Sequence, residues 1–336
     1  MRALFYQGNK TFAINDTRLQ PLKEGEVRLK VAYCGVCGTD IHVYHGHMDQ
    51  RVKPPQIIGH EASAVIEETG EGVSGWKPGD KVAVRPLQTG TEDPSDNGCA
   101  HIGRNMKFIG VDTPGAMQQY WTVPAYTLHR LPDTLSLQTA ALIEPLAVAC
   151  HDVRLGEVRP GEQVVVIGGG PIGLLIAMVA REKGATVTIS EINEARLELA
   201  ASMGFRTVNP LRNDLVGEVE SITSGAMADV VFEVSGAQAG ISMMTQLPRA
   251  RGRVVMVAIH AQPREVDVFR FFFRELKLIG ARVYEPEDFD EAIAFTVSGK
   301  LPLDRLITEV LPLEKAQEAF EAIDANPAGM KFLLEI

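Results

Sequence analysis

The chain has no block of basic residues, no apolar run long enough to span a bilayer and very little cysteine. Thirty-three Lys and Arg stand against 43 Asp and Glu, a net charge of −10, so no phosphate-tracking nucleic-acid surface is expected. Without an apolar run of bilayer length, no membrane span is expected either. Cys34, Cys37, Cys99 and Cys150 are too few for a disulfide framework in 336 residues, and a reducing cytoplasm suits them. That leaves cysteine available as a metal ligand. The opening Met1-Arg2-Ala3-Leu4-Phe5-Tyr6 lacks the basic, apolar, small-residue order of a signal peptide and runs straight into a strand-like segment. These absences point to a soluble protein whose partner is a small molecule.

What is present is an ordinary globular composition, 45% apolar and 23% charged. A length of 336 residues exceeds what one core usually supports, so two domains are expected. From Met1 to about Pro132, short β-type segments are punctuated by Gly and Pro: Glu26 to Tyr33, Ala62 to Thr69, Lys81 to Arg85 and Gln118 to Val123. The polar stretch from Leu87 to Asn105 reads as a surface loop. One helix is expected over Leu137 to Val153. Apolar strands then alternate with helices, beginning at Gln163 to Ile167 and recurring at Thr186 to Ser190, Asp229 to Val234, Arg253 to Val257 and Leu276 to Ala281. That alternation predicts a doubly wound parallel sheet. The fold class is therefore α/β, with a β-rich domain over 1–136, a nucleotide-binding domain over 137–284 and a tail over 285–336 whose packing the periodicity does not reveal. There is no internal repeat.

Gly168, Gly170 and Gly173, with Pro171 and Ile172 between them, form a GxGxxG fingerprint. Three glycines so spaced also occur in plain tight turns. Here they follow an apolar strand and open an apolar helix, where backbone N–H groups and the helix N-terminus face a pyrophosphate. Glu191 follows the second strand, where a carboxylate accepts from the adenine ribose hydroxyls and repels a 2′-phosphate, so NAD is favoured over NADP. Arg196 either stacks near the adenosine or pairs with an acidic neighbour.

Cys37 lies in the Gly-flanked turn Gly35-Val36-Cys37-Gly38-Thr39-Asp40, and His60-Glu61 follows Gly59. A thiolate, an imidazole and a carboxylate suit zinc with one position left for water or substrate. Taken singly, a cysteine beside glycine is more often a small buried hydrophobe and a lone histidine more often a surface or core residue.

Five segments together carry a resemblance: Cys37-Gly-Thr-Asp-Ile-His42, Gly59-His-Glu61, Gly79-Asp-Lys-Val82, Glu144-Pro-Leu-Ala-Val148 and the glycine fingerprint. In that order and spacing, over essentially the whole chain, the sequence resembles the zinc-containing medium-chain dehydrogenase/reductase family. Glu144-Pro-Leu-Ala-Val148 is similar to the sorbitol, polyol and threonine dehydrogenase branch. The resemblance implies a GroES-like β domain, a Rossmann domain, and a C-terminal segment returning to the first. It implies zinc on Cys37, His60 and Glu61, with Glu144 as ligand or water-mediated partner, and oxidation of a secondary alcohol of a polyol, sugar or sugar alcohol by NAD. L-threonine 3-dehydrogenase and a zinc-free nucleotide-binding reductase are the alternatives. The implied proton path runs through the Thr39 hydroxyl and the nicotinamide ribose to His42 and solvent, with Asp40 structural. Ile259, at the end of the Arg253 to Ile259 strand, would present backbone to the nicotinamide carboxamide. Arg282 and Tyr284 would contact cofactor or substrate, or close the domain boundary. Phe108 and Trp121 would line the pocket or join the β core, core being the expectation for Trp121. Many family members hold a second, structural zinc with four cysteines; between Leu87 and Met106 this chain has Cys99 alone, so one zinc is expected. A homodimer or homotetramer is expected.

Overall fold

The computed structural model describes residues 1–260 and 262–336, which divide into two units: Met1–Glu144 with Glu285–Ile336, and Pro145–Tyr284. In the first unit, the strand Glu26–Gly35 is the spine, with Val27, Leu29 and Val31 buried. It pairs antiparallel along one edge with Glu61–Thr69. Its other edge is shared: Tyr120–Pro124 pairs with the first half, and Lys331–Glu335 with the last three residues, Leu333 opposite Gly35. Ile307–Pro312 runs parallel to Lys331–Glu335, and Lys81–Val84 and Leu128–Arg130 extend the sheet beyond Glu61–Thr69. The segment from Glu285 onward thus completes the sheet of the first unit. Trp121 is fully buried and donates its indole N–H to the Pro114 carbonyl at 3.0 Å, a core residue as expected.

The helix expected over Leu137 to Val153 is instead two, Leu137–Ala140 and Ile143–Leu155. Pro145 is the cause. It has no N–H to give to a carbonyl one turn back, so it is tolerated in a first turn and not in the interior of a continuous helix. The units divide at Glu144/Pro145 instead of after Ser136, because Leu137–Ala140 belongs to the first unit: the Ser63 hydroxyl donates to the Leu137 carbonyl at 2.5 Å and Thr139 bonds Asp304 at 2.7 Å.

The second unit is a six-stranded, wholly parallel sheet. Its order is Arg206–Val208, Thr186–Ser190, Gln163–Ile167, Ala228–Glu233, Pro248–Met256, Lys277–Gly280. In sequence terms this is 3-2-1-4-5-6, the doubly wound dinucleotide-binding order, with its reversal beside Gln163–Ile167. Val165, Ile167, Val231 and Val254 from the sheet pack with Leu215, Val219 and Ile241 from helices and with Leu247 just before the strand Pro248–Met256. Among the described residues, no helix is long and apolar enough to cross a membrane.

Candidate metal centre and nucleotide site

The first unit brings Cys37, His60 and Glu61 together, with one ligand atom from each lying within 4.8 Å of the others. Cys37 does not sit in a simple turn. It caps the short helix Gly38–Tyr44, and Asp40, one turn in, accepts the Cys37 backbone N–H at 2.9 Å. His60 and Glu61 follow Gly59, whose φ of +95° favours glycine and where a Cβ would lie 2.7 Å from Met117 and 2.8 Å from the Cys34 sulfur. Glycine here lets the chain swing His60 inward. Phe108 packs edge-on against its ring, centroids 4.9 Å apart. Cys34, by contrast, is a buried small hydrophobe: burial pushes its thiol up, and the charges of Asp40 and Glu61 push it further.

Burial alone would lower the His60 pKa. The charge of Asp40, the hydrogen bond to and charge of Cys37, and the charge of Glu144 outweigh it and push the value up to about 10. The site is thus built to hold positive charge. His60 Nδ1 and Asp40 Oδ1 are both buried without a hydrogen bond and face each other at 3.6 Å, the arrangement by which a carboxylate orients an imidazole whose other nitrogen ligates. Zinc fits this donor set: soft thiol, imidazole and surrounding carboxylates, with a charge that replaces the His60 proton.

Glu61 has a competing partner. Lys331, 3% exposed, directs its ammonium at both oxygens of the Glu61 carboxylate, itself 1% exposed, with the Oε2 contact at 2.5 Å. Burial would lower the Lys331 pKa, but the charge of Glu61, then those of Cys37 and Glu144, raise it. Glu144 lies in the first turn of Ile143–Leu155, buried, outside the three-residue ligand group but close enough for its charge to act on His60 and Lys331.

In the second unit, the strand Gln163–Ile167 leads through Gly168 and Gly169 to Gly170, which caps the helix Pro171–Glu182. Pro171 occupies the first helical position and Ile172 the second, so the first turn presents unpaired N–H groups. Gly173 is required by close approach: a Cβ there would lie 1.8 Å from the Gly168 carbonyl oxygen. Glu191, directly after Thr186–Ser190, accepts from three backbone N–H groups: Gly169 at 2.8 Å, Ile192 at 2.7 Å and Asn193 at 2.9 Å. Arg196 has a guanidinium nitrogen 3.9 Å from Glu191, so the acidic-neighbour pairing is present.

Residues 23–133 match the alcohol dehydrogenase GroES-like domain, and residues 171–298 the zinc-binding dehydrogenase domain. The chain is 51% identical over 336 residues, covering all of this chain and 98% of the other, to 2-dehydro-3-deoxy-L-galactonate 5-dehydrogenase of Pseudoalteromonas atlantica. The chain belongs to the zinc-type alcohol dehydrogenase family. It is also 36% identical over 313 residues, 91% of this chain and 90% of the other, to L-threonine 3-dehydrogenase of Pyrococcus horikoshii. Among solved structures, a protein of Sinorhizobium meliloti described as a zinc-binding dehydrogenase, with NADP bound, superposes with a TM-score of 0.91 at 29% identity over all of this chain and 99% of that one.

The remaining sequence-derived residues of this dehydrogenase fall as follows. Thr39 and His42 lie three apart in Gly38–Tyr44, hence on one face of that helix, and both are half-buried. Ile259 is 74% exposed beyond the end of Pro248–Met256, Arg282 is exposed and Tyr284 is fully buried. In the loop from Leu87 to Met106, Asp96 accepts the backbone N–H groups of Asp93 and Arg104, and Cys99 contacts the Asn97 carbonyl at 3.8 Å. Two residues escaped the sequence reading. Lys331 gave one signal, a basic residue opening the apolar run Phe332-Leu-Leu334. Glu233, fully buried at the end of Ala228–Glu233, accepts from the Ser235 and Gly236 backbone and faces His260 Nε2 at 3.3 Å; nothing in its local sequence marks it.

Proposed function

We propose that this protein is an NAD-linked zinc dehydrogenase that oxidises a secondary hydroxyl of a sugar acid, sugar or polyol. The observation that carries the reading is the pairing of half-buried Cys37 with buried His60, the imidazole facing Asp40 and both surrounded by carboxylates. Cys37, His60 and Glu144 would hold one zinc, with Glu61, paired to Lys331, as an exchangeable fourth ligand. When bound, zinc supplies Lewis acidity that lowers the pKa of the substrate hydroxyl, and the nicotinamide ring accepts the hydride. The Thr39 hydroxyl accepts the substrate proton as it gives up its own toward His42, and His42 releases a proton to solvent. Burial, then the neighbouring His47 and His45, lower the His42 pKa, so its imidazole is neutral near pH 7 and competent to accept.

Glu191 anchors the preference for NAD. Its carboxylate is fixed by three backbone N–H groups, and its charge disfavours a 2′-phosphate. Gly168, Gly170, Pro171, Ile172 and Gly173 receive the pyrophosphate, Arg196 flanks the adenosine, and Ile259 and Arg282 contact the nicotinamide half. With a single cysteine in the Leu87 to Met106 loop, one zinc per chain is proposed. The protein works as a homodimer or homotetramer: Val268, Phe269, Phe272 and Phe273, with Leu278 on the outermost strand, leave an apolar face 50–79% exposed on the second unit. None of the four cysteines is joined in a disulfide among the described residues, as suits the cytoplasm.

The similarity to sugar-acid and threonine enzymes frames the test. NADH formation is followed with sugar acids, polyols and L-threonine, alongside metal analysis of the purified protein. Turnover of a sugar acid or polyol with stoichiometric zinc supports the proposal; L-threonine as the sole substrate, or full activity after zinc is chelated away, refutes it.

A further inference from the structure

Three histidines crowd six residues of the first unit, His42, His45 and His47. Helix Gly38–Tyr44 ends in a turn that doubles back, the His47 N–H donating to the His42 carbonyl at 3.0 Å. This brings His42 Nδ1 to 3.4 Å from His47 Nδ1, ring centroids 5.7 Å apart. His45 is turned away, bonding Asp324 through Nε2 at 2.9 Å, while its ring stacks on His47. The 3.4 Å separation is long for a hydrogen bond between nitrogens, whose usual range is about 2.7–3.2 Å. It matches another geometry. Two imidazoles each about 2.0–2.1 Å from a tetrahedral zinc place their ligand nitrogens about 3.3–3.4 Å apart. The two nitrogens already stand at the spacing that chelation requires.

We propose that His42 and His47 form a second, surface site for a zinc-class divalent transition metal, whose occupancy closes the proton exit from the active site. Imidazole is the ligand such ions prefer, His47 is exposed to solvent, and water completes the coordination. His42 relays a proton by accepting it on one ring nitrogen and releasing it from the other. A metal on Nδ1 occupies one of the two, so relay stops while Cys37, His60, Glu144 and the nucleotide site are untouched. The binding claim rests on the histidine geometry alone; the blocking claim rests on the proposed role of His42.

The test uses the holoenzyme with its own zinc in place, dialysed against Zn2+ in a non-chelating buffer, with metal content and turnover measured on the same samples. Wild type takes up one further equivalent of Zn2+ and loses turnover by up to about a hundredfold, the lower end of what a positioned acid-base group contributes. A weak chelator reverses both. His47→Asn, its turnover read with and without Zn2+ against its own value before dialysis, takes up no further equivalent and resists Zn2+. No extra equivalent in wild type, or an undiminished one in His47→Asn, overturns the site. Inhibition equal in both proteins overturns it as the cause. An extra equivalent that depends on His47 but leaves turnover unchanged overturns the blocking claim and, with it, the relay role of His42, while the metal-binding result is read independently of any substrate.

Discussion

Lys331→Met removes the ammonium from the Glu61 carboxylate while keeping most of the side-chain volume. Glu61 is then a charge 1% exposed without the cation that its two oxygens now face. Deleting one member of such a buried pair costs about 3–5 kcal/mol, because the desolvation of the survivor is no longer offset. That is a large share of the roughly 5–15 kcal/mol that holds a typical fold. Both tryptophans, Trp76 and Trp121, belong to the first unit, so urea unfolding of metal-free protein followed by tryptophan fluorescence reads that unit separately. Adding Glu61→Gln removes the stranded charge and restores most of the stability. A loss below about 1 kcal/mol, the range of an exposed pair, or an equal loss in the double variant, would refute the buried-pair reasoning.

Zinc uptake should expel the His60 proton. In the metal-free protein that imidazole has a pKa of about 10 against an ordinary 6.5, so it contributes stability below 6.5 that is lost as pH rises through 10, and zinc affinity climbs about tenfold per pH unit over that window. Calorimetry at pH 7 in buffers of different ionisation heat should show at least one proton released; none released contradicts the assignment. Gly173→Ala should abolish or strongly weaken NADH binding, because the new Cβ has no room against the Gly168 carbonyl, and a fluorescence titration with unchanged affinity would count against it. Glu191→Ala removes the acceptor of three backbone N–H groups, each bond to a charged group being worth about 1.5–3 kcal/mol. Its second unit should melt earlier and its ratio of kcat/KM for NADP over NAD should rise; an unchanged ratio would remove Glu191 from cofactor choice.

Much of this architecture was legible because it is local. Period-2 segments such as Glu26 to Tyr33, and the strand, glycine turn and helix around Gly168, carry their signal within a dozen residues, and the structure extends them by a residue or two. What escaped depends on partners distant in sequence or on short elements. The break before Ile143 turns on one missing N–H at Pro145. The helices Leu215–Ile222 and Val268–Arg274 went unrecognised, the latter because its aromatic run Phe271-Phe-Phe273 has no polar face to mark a period. At the metal centre, Cys37 and His60 stood out by residue type, but the competitor for Glu61 is a lysine 270 residues away, visible only once Lys331–Glu335 is seen beside Glu26–Gly35.

That separation has a consequence during synthesis. At about 5–20 residues per second, roughly 14 to 54 seconds pass between the appearance of Glu61 and that of Lys331. Through that interval Cys37, His60 and Glu61 are present in the nascent chain without the lysine that the finished fold sets against the carboxylate. A metal ion meeting the growing chain finds Glu61 unopposed; one meeting the finished chain must compete with Lys331. The order of translation therefore separates an early, permissive window for metal capture from a later state in which the ligand set is held in check.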